Sequence, residues 1–498
     1  MAGQWDNARK TSSTLKRGLE HGQSNPVHPE PGWSTLAVVD TSSIDWDTLI
    51  GGVTSSDSGD VVEVIDMSER RQDEAHKRDE RLWRVLAKVR ASSPVADLFA
   101  GWCLRTSPYQ QPMLTVGAIV ALGGIMGARR WSYRGVTSNT YVVLLAETAS
   151  GKSAPQNCLE TVLRKAALRR LGPGSIASAK SLFGTLKKAA EAGIGSCHVL
   201  DEYGDKLSAM LGRKGGAGEE MHSWLLQMAT INTRTVAWGS SATDGGGMEI
   251  IIGPALQILG GTTPAQLHKA LGGDGVLSGL IGRHIWCEGL CNLPEKNREA
   301  HLAAGLPAAL IGAIAAIEAA DIAWALPSPT KINPDLGAEV LEDDATVEVL
   351  HMWDDANERA KRAKHHPDAP VEIIARGEEL VKRVALALAV LDCGGHTPCV
   401  TEAHMEAAIA VVEASYVAIG RTLRDDAAST PAAVAMRDVV RAVRRGHVTQ
   451  REILRACRHL TVKEIGEQIA RGSEEGMWDL VKGERGRVTV VPLAALDA

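Results

Sequence analysis

The residues best suited to chemistry lie in the stretch from Tyr141 to Ser153, YVVLLAETASGKS. Tyr141, Val142, Val143, Leu144 and Leu145 make a continuous apolar run, the pattern of a parallel strand buried on both faces. The run leads directly into Ala146, Glu147, Thr148, Ala149, Ser150, Gly151, Lys152, Ser153 and Ala154. The spacing A-x-x-x-x-G-K-S predicts a phosphate-binding loop that opens a helix. Ala146, Thr148, Ala149, Ser150, Gly151, Lys152, Ser153 and Ala154 would wrap phosphate oxygens, the Lys152 ammonium would reach the β- and γ-phosphates, and the Ser153 hydroxyl would ligate Mg²⁺. The ligand this pattern implies is ATP with Mg²⁺. Ala146 stands where glycine is commonest in such loops, so the first turn must form without glycine's freedom.

A second group of chemically able residues lies 48 positions beyond Ser153. Ser196, Cys197, His198, Val199 and Leu200 read as a strand that ends in Asp201 and Glu202. Two adjacent carboxylates at a strand end can divide the work of hydrolysis, Asp201 holding Mg²⁺ and Glu202 orienting the attacking water. The strand expected over 255–259 ends in Gly260, Gly261, Thr262 and Thr263. Thr262 or Thr263 is then placed to sense a γ-phosphate, with capping of the helix that begins near Pro264 as the alternative. Arg283, between a glycine-containing turn and the apolar run from Ile285, would be costly to bury unpaired. It is a candidate for stabilising phosphate charge in a neighbouring subunit, against an ion pair within its own chain.

These residues need an α/β scaffold, and 498 residues suffice for about three domains. The net charge of −6 excludes a chain that is basic throughout, so any nucleic-acid surface must be local. Aromatic residues, at 4%, are too few for base stacking to be the main grip on a single strand, which leaves the backbone. The eight cysteines form no paired CxxC spacing, and a reducing cytoplasm is expected. Cys393, His396 and Cys399 could begin a zinc site but lack a clear fourth ligand. The apolar stretches 113–128 and 302–317 are shorter than a membrane span needs and read as buried helices.

Along the chain, residues 1–65 read as a disordered arm and 66–132 as a helical region. Residues 133–292 read as the α/β core, 293–428 as a helical lid and 429–498 as a small C-terminal domain. Arg213 and Lys214, set among glycines, make a basic loop suited to nucleic acid. Two strands near 233–240 and 248–252 should form a hairpin with a glycine-rich tip, 241–247. In the last domain three helices precede two strands around a turn bearing Lys482, Arg485 and Arg487. From 431 onward Lys and Arg number 12 against 9 Asp and Glu, so this part is basic where the chain is acidic. The pattern is that of a winged helix, whose wing commonly lies on DNA phosphates.

In the order AETASGKS, HVLDEYG, ILGGTTPAQL, LIGRHIW, GEELVKRVALALAVL and VTEAHMEAAIAVVEAS, the chain resembles phage and plasmid replicative helicase ATPases of the D5-like and superfamily 3 kind. The resemblance covers about 94–418. It implies a P-loop NTPase core (AAA+/RecA-like) with helical flanking regions, to which the C-terminal pattern adds a winged helix. It further implies a homo-oligomeric ring, a hexamer, that hydrolyses Mg-ATP at subunit interfaces and translocates on single-stranded or forked DNA. Replication proteins are possible partners, and no membrane is implied. Carried onto this sequence, Lys152, Glu202, Thr263 and Arg283 are catalytic, and Ser153 and Asp201 hold the metal. The channel hairpin of such rings matches 241–247, which contains Asp244 and no Lys or Arg, so suspicion of DNA contact shifts to Arg213 and Lys214. The alternatives are an ATPase that remodels or loads proteins on DNA without unwinding it, and a DNA-binding regulator switched by nucleotide.

Overall fold

The computed structural model describes residues 67–128, 130–211, 216–229, 235–238, 249–271, 279–300, 305–325, 338–363, 366, 368–429, 431–444, 447–474, 478–482 and 488–492. The arm 1–65, Arg213, Lys214, the tip 241–247, Arg485 and Arg487 lie outside them, as does the side chain of Lys482.

Three helices lead in: α1 (Met67–Ser92), α2 (Pro94–Thr106) and α3 (Pro112–Gly127). Their boundaries follow from the sequence. The Ser93 side chain accepts from Ala96 N–H and Pro94 fills the first helical position, while Pro108 and Pro112 separate α2 from α3. The core follows as β1 (Tyr141–Leu145), α4 (Ser153–Ala166), α5 (Ala179–Glu191), β2 (Ser196–Leu200), α6 (Tyr203–Leu211) and α7 (Ala217–Ala229). Next come the hairpin strands β3 (Thr235–Trp238) and β4 (Glu249–Ile252), then β5 (Leu256–Thr262), α8 (Pro264–Leu271) and β6 (His284–Glu288).

Four of these strands form one sheet, in the order β2-β5-β1-β6, and every pair is parallel. β1 lies between residues 258–262 of β5 and residues 284–288 of β6. Leu171 adds a single parallel bridge to Cys197 on the outer side of β2. Two consequences matter for function. β5 is inserted between β1 and β2 although it comes later in the chain. And because all four strands run the same way, residues 146, 201, 263 and 289 leave the sheet at one edge. Among the described residues β3 and β4 pair only with each other, antiparallel and apart from this sheet.

All sixteen residues of α3 are buried, and it is apolar all round, as a helix enclosed on every side must be. It packs between the sheet and α11 (Gly377–Asp392), the third helix of the following set: α9 (Ala308–Ala325), α10 (Asp344–Ala363), α11 and α12 (Glu402–Ser429). Contact is close enough that a Cβ on Gly123 would sit 2.2 Å from the Ala387 carbonyl oxygen. Leu82, Val85, Leu86 and Val89 of α1 are buried as their helical spacing requires. One hydrophobic cluster runs from Leu82 to Ile419, so the domain boundaries expected near 132 and 292 fall within a single core. Among the described residues one helical segment, Glu402–Arg424, is long and apolar enough to cross a membrane by length and composition. Of that segment, 67% is buried inside the protein.

A second cluster holds the C-terminal part together: α13 (Pro431–Arg444), α14 (Gln450–Ala456), α15 (Val462–Glu474) and the antiparallel pair β7 (Trp478–Lys482) and β8 (Val488–Pro492). Trp478 is fully buried and donates from Nε1 to the Ile469 carbonyl at 2.9 Å. Thr449 caps α14 in a reciprocal pair with Glu452, the cap expected from the sequence.

Two expectations about the core need correction. β5 does not stop at Leu259 but runs through Gly260 and Gly261 to Thr262. Of the stretch 302–317 expected as helix, the helix begins at Ala308, and 302–304 lie outside the described residues.

Candidate functional site

The edge where the four strands end holds most of the residues singled out by the sequence. Ala146 N–H donates to the Thr262 carbonyl at 3.2 Å, so the loop stays registered on β5 for one residue beyond β1. The loop then closes on itself: Ser150 donates to the Glu147 carbonyl from its N–H at 3.3 Å and from its hydroxyl at 2.7 Å. Ala149 adopts φ 64° and Gly151 φ 91°. Gly151 is needed here twice over, since a Cβ would also lie 3.1 Å from the Tyr109 side chain. Lys152 already has helical angles (φ −53°, ψ −39°). No side chain caps α4, and no acidic residue lies in its first turn. Ala154 N–H turns back to the Gly151 carbonyl at 3.1 Å and Pro155 has no N–H, so it is the Ser153 N–H, at the positive end of the helix dipole, that is placed for an outside acceptor.

Opposite stand the acids. Asp201 and Glu202 are exposed at the end of β2, with Glu202 N–H on the Asp201 carboxylate at 3.1 Å. Glu202 adopts φ 53°. Among the described residues only Arg134, Ala149 and Glu202 are non-glycine residues with positive φ, and two of the three lie in this site. Such conformations persist where surrounding structure enforces them, commonly at ligand clamps. Half-burial pulls the Lys152 ammonium below its ordinary range, and Asp201, Glu147 and Glu202 oppose that shift, so the cation and the acids lie within electrostatic reach.

The fit to a triphosphate follows from this donor set. N–H groups and Lys152 would receive the phosphate chain, but Asp201 and Glu202 would repel it unless a cation came between. Ser153 and Asp201 would offer a hard divalent cation two oxygens, with phosphate and water completing its shell, the usual manner of binding Mg²⁺.

Two glutamines that the sequence reading passed over tie the site together. Gln156, buried on α4, donates to the Leu200 carbonyl at 3.1 Å and packs on Gly261, joining the helix after the loop to β2 and β5. Gln111, buried just before α3, donates to the Ser150 carbonyl at 2.9 Å and accepts from Leu290 N–H at 2.9 Å. Glu288, beside Leu145 in register, is 2% exposed and bound by Arg78 of α1 at 2.6 Å and by Arg421 of α12. The spacing of isolated polar residues gives no sign of such roles, which exist only once distant segments meet.

Thr262 is fully buried, its Oγ1 so close to Gly204 that a Cβ there would lie at 2.1 Å. Thr263 is the N-cap of α8: its hydroxyl accepts from Gln266 N–H at 3.2 Å, and Gln266 Oε1 accepts from Thr263 N–H at 3.3 Å. The capping alternative therefore describes Thr263 as it stands.

Arg283 is not part of this edge. It precedes His284, which pairs with Tyr141 at the amino end of β1, some six strand residues, about 20 Å, from Ala146. Its Nη1 donates to the Gly279 carbonyl at 2.6 Å, and its buried Nε has no hydrogen-bond partner among the described residues. The side chain lines a cavity with Tyr141, Arg376, Glu379 and Arg383. Burial, then the neighbouring Arg376, lowers its pKa. Glu379 is already bound to Arg383 at 2.8 Å and lies 3.5 Å from Arg376, so cations outnumber anions around this cavity.

Among the described residues no group of three or more His, Cys, Asp or Glu side chains is arranged to hold a metal ion, the triplet Cys393, His396, Cys399 included. Arg130 is engaged within the chain, stacked 4.5 Å from the Trp131 ring centroid. No protein-family model matches the chain, and no curated protein matches it in sequence.

Proposed function

We propose that the protein is a Mg²⁺-dependent ATPase that works as a ring on DNA, with the loop 146–153 as its P-loop and residues 431–492 as a winged helix. The observation that carries this reading is the sheet order. β5 separates the strand that enters the Lys152 loop from the strand that ends in Asp201 and Glu202, and all three finish at one edge. A triphosphate between them would meet the Ser153 N–H at the start of α4 and the Lys152 ammonium on one side. On the other, Asp201 would help hold Mg²⁺ and Glu202 would orient the lytic water.

The position of Arg283 favours a multimer within the same reading. It lies at the far end of the sheet from its own loop, so it can meet a γ-phosphate only in another copy. Arg376, beside it, would raise the positive potential of the face offered to that copy.

The test is ATP turnover with and without single-stranded DNA, followed by strand displacement on a forked duplex. The reading expects DNA-stimulated turnover together with displacement. Stimulated turnover without displacement would instead assign the protein to remodelling or loading, and nucleotide binding with negligible turnover to a regulatory switch.

A further inference from the structure

Glu202 and Tyr203 are adjacent but face opposite ways. Glu202 is exposed at the edge of the sheet, whereas Tyr203 is 1% exposed and lies back across the sheet. The left-handed turn at Glu202 produces that reversal. Gly260 makes room for it, since a Cβ there would come within 2.5 Å of the Tyr203 ring. At its far end the Tyr203 hydroxyl meets His284 Nε2 at 3.0 Å.

The direction of the hydrogen bonds is fixed by chemistry. His284 Nδ1 lies 2.7 Å from the Leu280 carbonyl, which only accepts, so Nδ1 carries the proton. Nε2 is then the acceptor and the Tyr203 hydroxyl the donor. His284 is fully enclosed, its ring within 5.4–5.7 Å of Tyr141, Tyr203 and Trp286 by centroid. The same Leu280 carbonyl accepts from Arg283 N–H at 3.0 Å, and the Arg283 guanidinium is held by the Gly279 carbonyl two residues before Ile281. Two hydrogen bonds and one turn therefore connect Glu202, at one end of the sheet, to Arg283 at the other.

We infer that Tyr203 and His284 are positioning residues through which nucleotide bound beside Glu202 sets the placement of Arg283, the arginine that the same chain offers to its neighbour. This rests on the ATP site proposed above. A ligand that engages Glu202 acts on a strained backbone angle, and relaxing that angle pulls on the Tyr203 ring and the bond to His284. The strut gives each copy a means of reporting its own state to the next.

Hydrogen exchange read by mass spectrometry tests this on the full chain, with Mg²⁺ and a non-hydrolysable ATP analogue present or absent. In the wild type the analogue should change exchange across 279–286 by roughly threefold or more. Tyr203→Phe keeps the ring and removes the donor; it should bind the analogue within about threefold of the wild type yet leave 279–286 unchanged. His284→Phe, which keeps the ring stack and removes the acceptor, should do the same, and exchange in 431–444 should be unaffected in both. If either variant binds the analogue and still passes the wild-type change to 279–286, the strut is overturned while the ATP site stands. If the wild type binds no analogue, matching Lys152→Ala, the ATP site itself falls and the strut with it.

Discussion

Gln111 donates to the Ser150 carbonyl at 2.9 Å while accepting from the Leu290 N–H at 2.9 Å, so one buried side chain sets the distance between the Lys152 loop and the segment after β6. Leu290 follows Glu288 and Gly289, and Glu288 is bound by Arg78 and Arg421 from two flanking helices. The loop is thereby tied to α1 and α12 as well as to the sheet. Gln111→Leu would leave a carbonyl and an N–H buried without partners, a loss of about 1–3 kcal/mol for each. The expected result is a lower unfolding midpoint and nucleotide binding weakened roughly tenfold, read by denaturant titration and calorimetry. Unchanged binding in a destabilised variant would confine Gln111 to stability.

Glu202→Gln keeps the side chain's size and removes the carboxylate that would orient water. ATP binding should persist within a few fold, while turnover should drop by about 10²-fold or more. Quenched-flow measurement of phosphate release separates the two. Turnover at the wild-type rate would remove Glu202 from the chemistry.

Arg283 lies at the opposite end of the sheet from its own loop, so the proposed action on phosphate would require a second copy. Arg283→Ala and Lys152→Ala should each be inactive alone. Mixed together they should regain a measurable part of the turnover, because some interfaces would then pair an intact Lys152 with an intact Arg283. No recovery over a range of mixing ratios would place Arg283 in a role within one chain.

Burial lowers the pKa of His284 from 6.5 to about 4. The unfolded chain takes up this proton between those values and the folded chain does not. The stabilisation is therefore complete above pH 6.5 and is lost as pH falls toward 4, an effect of about 3 kcal/mol. Buried Asp321 works the other way: its pKa is raised from 3.8 to about 6, so its contribution is present below 3.8 and lost as pH rises through 6. Comparing wild type with His284→Phe isolates the histidine. Wild-type stability should fall more steeply than the variant's between pH 6.5 and 4, and parallel profiles would contradict the buried neutral ring.

What the sequence disclosed follows the range of the interactions involved. The strand at Tyr141, the loop and α4 were legible because five apolar residues and the G-K-S spacing after them are local signals. The same holds for Thr449 as the cap of α14. The end of β5 was not legible: Gly260 and Gly261 read as a turn, yet they stay in the strand because Tyr203 and Gln156 occupy the space their side chains would fill. Gln111, Glu288 and the pairing of Tyr203 with His284 were hidden for a related reason, since they join segments 39 residues apart (Gln111 and Ser150), 81 apart (Tyr203 and His284), 133 apart (Glu288 and Arg421) and 179 apart (Gln111 and Leu290). The single core from Leu82 to Ile419 was likewise concealed, because helical spacing reveals which face of a helix is apolar but not which neighbour covers it.

A triphosphate held between Lys152 and the acids of β2 is the central claim. Calorimetric titration of the full chain with a non-hydrolysable ATP analogue, with and without Mg²⁺, measures this directly. The prediction is Mg²⁺-dependent binding in the wild type, weakened about 100-fold or more in Lys152→Ala, whose unfolding midpoint should be close to that of the wild type. Equal binding by the two proteins, or none by the wild type at millimolar analogue, would contradict it.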